Sequence, residues 1–327
     1  MKTPDLKYFI DGIESKNRVV LARAITLVES EHPDHQKLAQ ELITYFLPRT
    51  GKSKRLGISG TPGVGKSTFI EAFGKMLTGQ NKKVAVLAID PTSQVSGGSI
   101  LGDKTRMNEL AIDPLAFIRP SPSGKTLGGV ARRTRESMLL CEAFGFDYIL
   151  IETVGVGQSE TTVSQMVDMF IMLLQPGSGD DLQGIKRGIL ELVDMVVVTK
   201  DDGSNREMIA KARHDYKQAL HILRHQGWNP PVLSCSALTK FGLDEVLEKI
   251  EEYYQVQSKK IQDNRTAQGI NWMWQLVFDG IKDEFQQVLD QEFIKDIEKS
   301  VSGSRMTSVE ASNKLLLEFR KKIKAAP

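Results

Sequence analysis

Short apolar runs alternate with amphipathic stretches through the middle of the chain, from Lys54 to about Tyr254. Continuous apolar runs of four to six residues are typical of strands buried on both faces, whereas apolar residues three and four positions apart are typical of helices with one buried face. Their alternation predicts an α/β fold with a mainly parallel sheet covered by helices. The predicted strands are residues 56–59, 84–89, 116–118, 148–152, 169–174, 195–200 and 232–234.

A helical pattern precedes this region. Apolar residues such as Val20, Ile25 and Val28 recur at helical spacing between residues 6 and 46, which predicts short helices with one apolar face. We therefore expect a helical lead-in at residues 1–50, followed by the α/β domain at residues 51–255.

A helical pattern also follows the α/β domain, over residues 256–327. Thr307, followed three residues later by Glu310, is typical of a capping box that opens the last helix. About seventy residues rarely form a stable core alone. This arm is therefore expected to pack either on its own domain or, as we favour, on a second copy of the chain. Apolar residues available for this packing include Trp272, Met273, Trp274, Leu276, Val277, Phe278 and Ile281.

Composition narrows the classes of partner. The 327 residues carry 43 basic and 41 acidic side chains, a net charge of +2, so the strong positive field typical of nucleic-acid binding is absent from the sequence. Cys141 and Cys235 lie far apart in apolar surroundings, which favours buried free thiols in a reducing compartment. No apolar run is long enough for a membrane span, and residues 1–15 include three acidic residues, unlike a signal peptide. We expect a cytoplasmic protein without membrane or nucleic-acid partners.

Residues 60–67 read Gly-Thr-Pro-Gly-Val-Gly-Lys-Ser and fit the phosphate-loop motif GxxxxGK[ST]. In this motif glycines let backbone N–H groups converge on phosphate oxygens, the lysine reaches the β and γ phosphates, and the last hydroxyl ligates Mg²⁺. A strand before the motif and a helix after it place the phosphates at a helix N-terminus, which favours anions. The predicted triphosphate site comprises Gly60, Thr61, Pro62, Gly63, Val64, Gly65, Lys66, Ser67 and Thr68, with Lys66 also acting in catalysis.

Residues 199–202, Thr-Lys-Asp-Asp, follow an apolar run and fit the guanine-reading pattern [NT]KxD. The Asp202 carboxylate can accept hydrogen bonds from guanine N1–H and from its N2 amino group, a donor pair that adenine lacks. GTP is therefore favoured over ATP. A strand end followed by an acidic turn is the alternative, and Asp201 leaves the register ambiguous. The predicted base site comprises Thr199, Lys200 and Asp202, with Ser236, Ala237 and Leu238 as a second loop whose backbone meets guanine O6.

An ExxG motif begins at Glu152, at the end of a predicted strand. The Glu152 carboxylate would act on Mg²⁺ or its water shell, and Gly155 would offer a backbone N–H to the γ-phosphate. Ras-like enzymes carry a water-orienting glutamine directly after this glycine, where this chain has Val156. We therefore expect slow turnover, with Gln158 as a candidate for the missing role. Alternatively, Glu152 only caps the next turn.

Two further acids are candidate ligands for Mg²⁺, which prefers oxygen donors in an octahedral array. Asp90 ends the second predicted strand, and Asp103 follows a glycine-rich loop. With Ser67 and Glu152 they form the predicted metal site. The alternatives are a turn-capping acid for Asp90 and a solvated loop acid for Asp103.

Five strings carry a resemblance to a known family: residues 90–91, 96–107, 119–122, 152–160 and 179–188. Together with the helical lead-in and the C-terminal arm, they make essentially the whole chain resemble the MeaB/MMAA group of GTPases. The resemblance implies a SIMIBI-class phosphate-loop protein with Mg²⁺ and with GTP or GDP as ligands.

The same resemblance implies a chaperone for an adenosylcobalamin-dependent acyl-CoA mutase, most often methylmalonyl-CoA mutase. Such proteins gate cofactor delivery, help to remove damaged cofactor, are typically homodimers through the C-terminal helices, and hydrolyse GTP slowly until the partner docks. It further implies that Asp90, Asp103 and Glu152 serve Mg²⁺ and that residues 175–188 form a third switch, in which Lys186 changes partner with nucleotide state. Directly bound cobalamin is not expected.

Other nucleotide enzymes fit the sequence less well. Nickel-insertion GTPases carry a His-rich tract or a Cys-based metal site, and signal-recognition GTPases carry a Met-rich domain; neither feature occurs in this sequence. An ATP-dependent kinase acting on a small amino acid remains an alternative.

Overall fold

The computed structural model describes residues 4–89, 107–120, 127–153, 159–177, 187–203, 205–222 and 227–325. Its contacts divide the chain into two compact units, Met1–Gln262 and Asp263–Pro327.

Three helices open the first unit: α1 (Leu6–Glu14), α2 (Arg18–Glu29) and α3 (Pro33–Phe46). The side chain of Asp5 caps α1 by accepting a hydrogen bond from the Tyr8 N–H, and that of Asn17 caps α2 by accepting from the Val19 and Val20 N–H groups, which are otherwise unpaired in the first turn. The apolar faces of these helices share one core with the sheet and with the long helix that follows the third strand.

Seven parallel strands form one sheet among the described residues, which confirms the predicted α/β fold. The strand order is β3-β2-β4-β1-β5-β6-β7. Each predicted strand is present, although β6 ends at Val198 rather than at residue 200. The bounds are β1 Lys54–Gly60, β2 Val84–Ile89, β3 Ala116–Pro120, β4 Tyr148–Thr153, β5 Met169–Leu174, β6 Met195–Val198 and β7 Val232–Ser234.

Helices cover both faces of this sheet, and successive residues of a strand therefore enter two different cores. In β4, Ile149 and Ile151 pack on the side of the N-terminal helices, whereas Leu150 faces the opposite core. Within the described residues, the other α-helices that lie wholly in this unit are α4 Lys66–Gly79, α5 Asn108–Ala111, α6 Leu127–Phe144, α7 Ser159–Ser164, α8 Arg187–Leu190, α9 Arg206–Ile222 and α10 Leu243–Val256.

Both cysteines are buried free thiols, as the sequence predicted. Burial raises the pKa of Cys141, and it raises the pKa of Cys235 to about 12. Both side chains therefore remain protonated and pack as small apolar groups.

The C-terminal helices are α11 (Ser258–Val288), α12 (Gln291–Ser302) and α13 (Ser308–Ala325). The rings of Phe285 and Phe319 lie 4.9 Å apart, so α11 and α13 touch within the second unit. Thr307 caps α13 as predicted, because its hydroxyl accepts a hydrogen bond from the Glu310 N–H at 3.2 Å. In the described part of the chain, a bilayer-crossing helix of sufficient length and apolarity is not found.

Candidate nucleotide site

The parallel strands bring the predicted site residues to one edge of the sheet. The loops after β1, β4, β5, β6 and β7 all begin at the carboxyl ends of their strands, which is where open α/β sheets bind ligands. The central position of β1, between β4 and β5, places the phosphate loop between the Glu152 strand end and the guanine-reading loops.

The phosphate loop has an open glycine cradle. Gly63 and Gly65 adopt φ angles of 82° and 98°, and a Cβ atom built on either would meet no atom of the described residues within 4 Å. The left-handed backbone therefore suits glycine, and the space above it is free for a phosphate group. Lys66 opens α4 and donates from Nζ to the carbonyl oxygens of Gly60 at 2.7 Å and Thr61 at 3.3 Å.

Lys66 is buried together with two carboxylates. Burial lowers the pKa of Lys66, while the negative charges of Glu152 and Glu160 oppose that shift. Glu152 is buried at the end of β4, and its Oε1 accepts a hydrogen bond from Ser67 Oγ at 3.1 Å. A hydroxyl oxygen and a carboxylate oxygen side by side, next to a phosphate cradle, form a donor set that suits Mg²⁺.

Five residues given roles in the sequence analysis lie outside the described residues: Asp90, Asp103, Gly155, Gln158 and Lys186.

The first guanine-reading loop is tied directly to the phosphate loop. Thr199 Oγ1 donates to the carbonyl oxygens of Val64 at 2.8 Å and Leu174 at 3.1 Å. Lys200 has a left-handed φ of 63°, and its Nζ donates to the Gly63 carbonyl oxygen at 3.1 Å. The base-binding loop and the phosphate-binding loop are thus held at a fixed separation.

Asp202 and the second predicted loop also meet. Ser236 Oγ donates to Asp202 Oδ1, which orients the carboxylate. Ala237 is half-buried, and Leu238 is 78% exposed beside it. A cleft of about 440 Å³ lies beside Asp202, and its walls also include Arg206 and Phe241.

The structure adds three residues that the sequence analysis did not single out as site residues. Gln175 Oε1 accepts a hydrogen bond from Lys200 Nζ at 2.8 Å, and Asn205 Nδ2 donates to the Lys200 carbonyl oxygen at 3.1 Å. Glu160 is buried near Lys66. The position of Gln175 directly after an apolar strand was a usable signal, because such positions lie at the binding edge of a parallel sheet.

Together, the parallel sheet, the glycine cradle with Lys66, and the paired base-reading loops define a phosphate-loop GTPase. Residues 21–290 match the family described as methylmalonyl-CoA mutase-associated GTPase MeaB. The chain belongs to this family, which confirms the resemblance drawn from the sequence, and like its relatives it is a GTPase.

Individual relatives agree with this assignment. The GTPase ArgK of Escherichia coli (strain K12) is 55% identical over 268 residues, which cover 81% of each chain. The mitochondrial methylmalonic aciduria type A homolog of Mus musculus is 45% identical, over 94% of this chain and 78% of the mouse protein. A crystal structure described as an LAO/AO transport system kinase is 39% identical, with a TM-score of 0.79 over 98% of this chain and 99% of its own.

Proposed function

We propose that this GTPase is a chaperone for an adenosylcobalamin-dependent acyl-CoA mutase, with methylmalonyl-CoA mutase as the expected client. The observation that carries the proposal is the family match over residues 21–290, since the family is described by its association with that enzyme. In this role the GTPase gates delivery of the cofactor to the mutase and protects or reactivates the mutase. The chain acts in the cytoplasm and does not itself bind cobalamin.

Different site residues would bind the phosphates, the base and the metal ion of GTP. The glycine cradle and Lys66 hold the phosphates, while Asp202, oriented by Ser236, accepts hydrogen bonds from the guanine edge. Ser67 and Glu152 would hold Mg²⁺, together with Asp90 and Asp103. When bound, this ion neutralises charge that develops on the phosphate oxygens. The carboxylate–hydroxyl pair of Glu152 and Ser67, 3.1 Å apart, supports that assignment.

We expect the chain to hydrolyse GTP slowly alone and faster with its partner. The reason is that phosphoryl transfer depends mainly on positioning and electrostatics. A mutase that fixes the loops around the terminal phosphate would accelerate the reaction without supplying new chemistry. Those loops are residues 91–107, 153–160 and 175–188, which we propose are ordered by Mg²⁺·GTP and released by hydrolysis.

The test measures GTP turnover by the purified chain alone and with purified acyl-CoA mutases. An acceleration of roughly tenfold or more by one of them is expected, since fixed positioning of the reacting groups is what the mutase would supply. Pull-down of that mutase should also differ between GDP and a non-hydrolysable GTP analogue. The Lys66→Ala variant is the control, because it should show neither response. Absence of acceleration by every mutase tested would defeat the chaperone role, while leaving the GTPase intact.

An ATP-dependent kinase is the rival hypothesis, since one related structure is described as a transport system kinase. The Asp202 carboxylate weighs against it because adenine has no donor pair for this group. Competition of labelled GTP by unlabelled ATP decides between the two hypotheses: displacement only at a large excess of ATP supports the chaperone GTPase, and equal displacement by ATP and GTP would favour the kinase.

We also propose that the chain forms a homodimer through its C-terminal helices. Large apolar side chains recur on α11 at spacings of three and four residues, so they share one helix face, and about half of each is exposed within the chain. A contiguous exposed apolar face marks an interaction site. The residues of this face, which we call the α11 stripe, are Ile270, Met273, Trp274, Val277, Phe278 and Ile281.

A further inference from the structure

Glu160 is a buried acid whose role in the fold is unexplained. Its side chain lies in the first turn of α7 and the residue is only 3% exposed. Glu160 Oε2 is buried and has no hydrogen-bond donor within the described part of the protein. Two buried glutamates on α6 differ in this respect: Glu142 receives two hydrogen bonds from Arg55, and Glu136 receives one from Gln40.

Packing places this acid beside the phosphate loop. Helix α7 lies against β1, because a Cβ atom built on Gly57 would lie 2.9 Å from Val163 Cγ1. The helix follows β4, so its first turn is at the carboxyl edge of the sheet, and Glu160 lies one turn before Val163, in the direction of Gly60. Glu160 also lies close enough to Lys66 for its carboxylate and the ammonium group to interact electrostatically, which agrees with this placement.

A carboxylate oxygen that is buried without a donor is costly, by roughly 1–3 kcal/mol or more. Buried acids are rare unless a partner compensates them. Such a cost is recovered when a ligand supplies the missing donor. In a GTPase, the donor that stands beside the terminal phosphate during the reaction is the attacking water.

We propose that Glu160 orients the water that attacks the γ-phosphorus of GTP. Glu160 Oε2 accepts a hydrogen bond from this water and holds its oxygen in line with the bond to be broken. A bond forms between the water oxygen and γ-phosphorus, the bond from γ-phosphorus to the β–γ bridging oxygen breaks, and GDP leaves with that electron pair. The water proton ends on the phosphate product, so Glu160 is unchanged. Glu160 would thus take over the function of the water-orienting glutamine of Ras-like enzymes, at whose position this chain has Val156.

The inference depends on GTP hydrolysis and not on the identity of the mutase partner, so its test uses the full chain alone. Glu160→Gln keeps the shape of the side chain, removes its charge and leaves it one acceptor oxygen. At saturating Mg²⁺ and with the protein in excess over GTP, the single-turnover rate should fall roughly 10- to 100-fold, the size expected when a reactant loses its orientation. The dissociation constants of GDP and of a non-hydrolysable GTP analogue should stay within about threefold of wild type.

Two further variants make the result specific. Glu136→Gln removes another buried carboxylate, on α6, and should leave the single-turnover rate unchanged whatever it does to the melting temperature. Glu160→Asp keeps the charge on a shorter side chain, and it should retain more activity than Glu160→Gln.

Three results would overturn the proposal. An unchanged rate in Glu160→Gln would show that the acid is not needed in the reaction. A loss of nucleotide affinity as large as the loss of rate would mean that Glu160 only holds Lys66. An increased Mg²⁺ requirement, with the rate restored at high Mg²⁺, would assign Glu160 to the water shell of the metal.

Discussion

At the scale of single residues, Lys66 lies close to the phosphate cradle on which its role depends. Its ammonium group donates to the loop carbonyl oxygens of Gly60 and Thr61, and it needs only a small movement to reach a phosphate in the cradle. Lys66→Ala removes two or more charge-assisted hydrogen bonds, each worth about 1.5–3 kcal/mol. GTP affinity, measured by calorimetry, should fall roughly 100-fold or more.

Lys75→Ala is the matched control for this prediction. Lys75 lies on the same helix and pairs with Asp113 at 2.6 Å, so its removal deletes a lysine from α4 without touching the cradle. GTP affinity should stay within about twofold of wild type. Equal behaviour of the two variants would contradict the role of Lys66.

Asp202 gives a second residue-scale prediction, about the choice of base. Asp202→Asn replaces one acceptor oxygen by an amino group, which faces the N2 amino group of guanine as donor against donor. The same amino group can donate to the 2-oxo group of xanthine. Affinity for GDP should therefore fall roughly 100-fold, and affinity for XDP should rise, both measured by fluorescence competition.

Asp201→Asn is the control variant, which tests whether Asp202 or Asp201 is the residue that reads guanine. Because Ser236 holds Asp202, and not Asp201, by its hydroxyl, the Asp201 variant should keep its preference for GDP. A switch to XDP in Asp201→Asn, with none in Asp202→Asn, would show that the guanine-reading motif is shifted by one residue.

Some site residues were predictable from sequence and others were not. Lys66 and Asp202 belong to motifs of fixed local spacing, so their chemistry can be recognised before the chain is folded. Gln175 lies 25 positions from Lys200 in sequence, yet the two side chains meet at 2.8 Å. Glu160 is only one acid among many until the packing of α7 on β1 is known. Tertiary contacts of this kind leave no local pattern.

At the scale of elements, the buried Asp168 and the partly buried Asp194 hold the amino ends of the central strands. Asp168 accepts hydrogen bonds from the Arg55 N–H at 2.9 Å and the Tyr254 hydroxyl at 2.7 Å. Asp194 accepts from the Phe170 N–H at 2.8 Å and the Tyr253 hydroxyl at 3.3 Å. These bonds join β1, β5 and α10 at the edge of the sheet opposite the nucleotide site.

Asp194 should make stability depend on pH. Burial raises its pKa to about 6, with a further increase from Asp168, against opposing effects of the Phe170 N–H, Lys260 and Tyr253. Because the folded state holds this proton more tightly than the unfolded state, the stabilisation is complete below about pH 4 and is lost as pH rises to about 6. The loss is on the order of 3 kcal/mol.

Urea unfolding of wild type and Asp194→Asn between about pH 4 and pH 8 measures this effect. The amide side chain of the variant carries no ionisation penalty, so the free energy of unfolding of the variant should increase relative to wild type between about pH 4 and pH 6. The difference should then be constant up to about pH 8. A difference that does not change with pH would refute the assignment.

The positions of the strands were predictable because a strand buried on both faces must be apolar at every position, as β5 and β6 are. The end of β6 was placed two residues too late. Thr199 and Lys200 leave the sheet because Thr199 Oγ1 bonds to the phosphate loop and Lys200 takes a left-handed conformation. The hydrophobic pattern alone does not predict where β6 ends, because that end is set by a contact with Val64, 135 residues earlier in the chain.

At the scale of the whole molecule, the remaining question is what covers the α11 stripe. Homodimerisation predicts that the 36.4 kDa chain sediments at twice that mass and dissociates on dilution.

The variant Phe278→Glu places a charge in the α11 stripe, at a residue that is 64% exposed within the chain. It should weaken the dimer roughly 100-fold or more, because a charge in an apolar interface loses its hydration. Ile112→Glu adds the same charge at another exposed apolar residue, outside the stripe, and should leave the dimer intact. A wild-type chain that remains monomeric at all concentrations would contradict the homodimer, as would equal dissociation of the two variants.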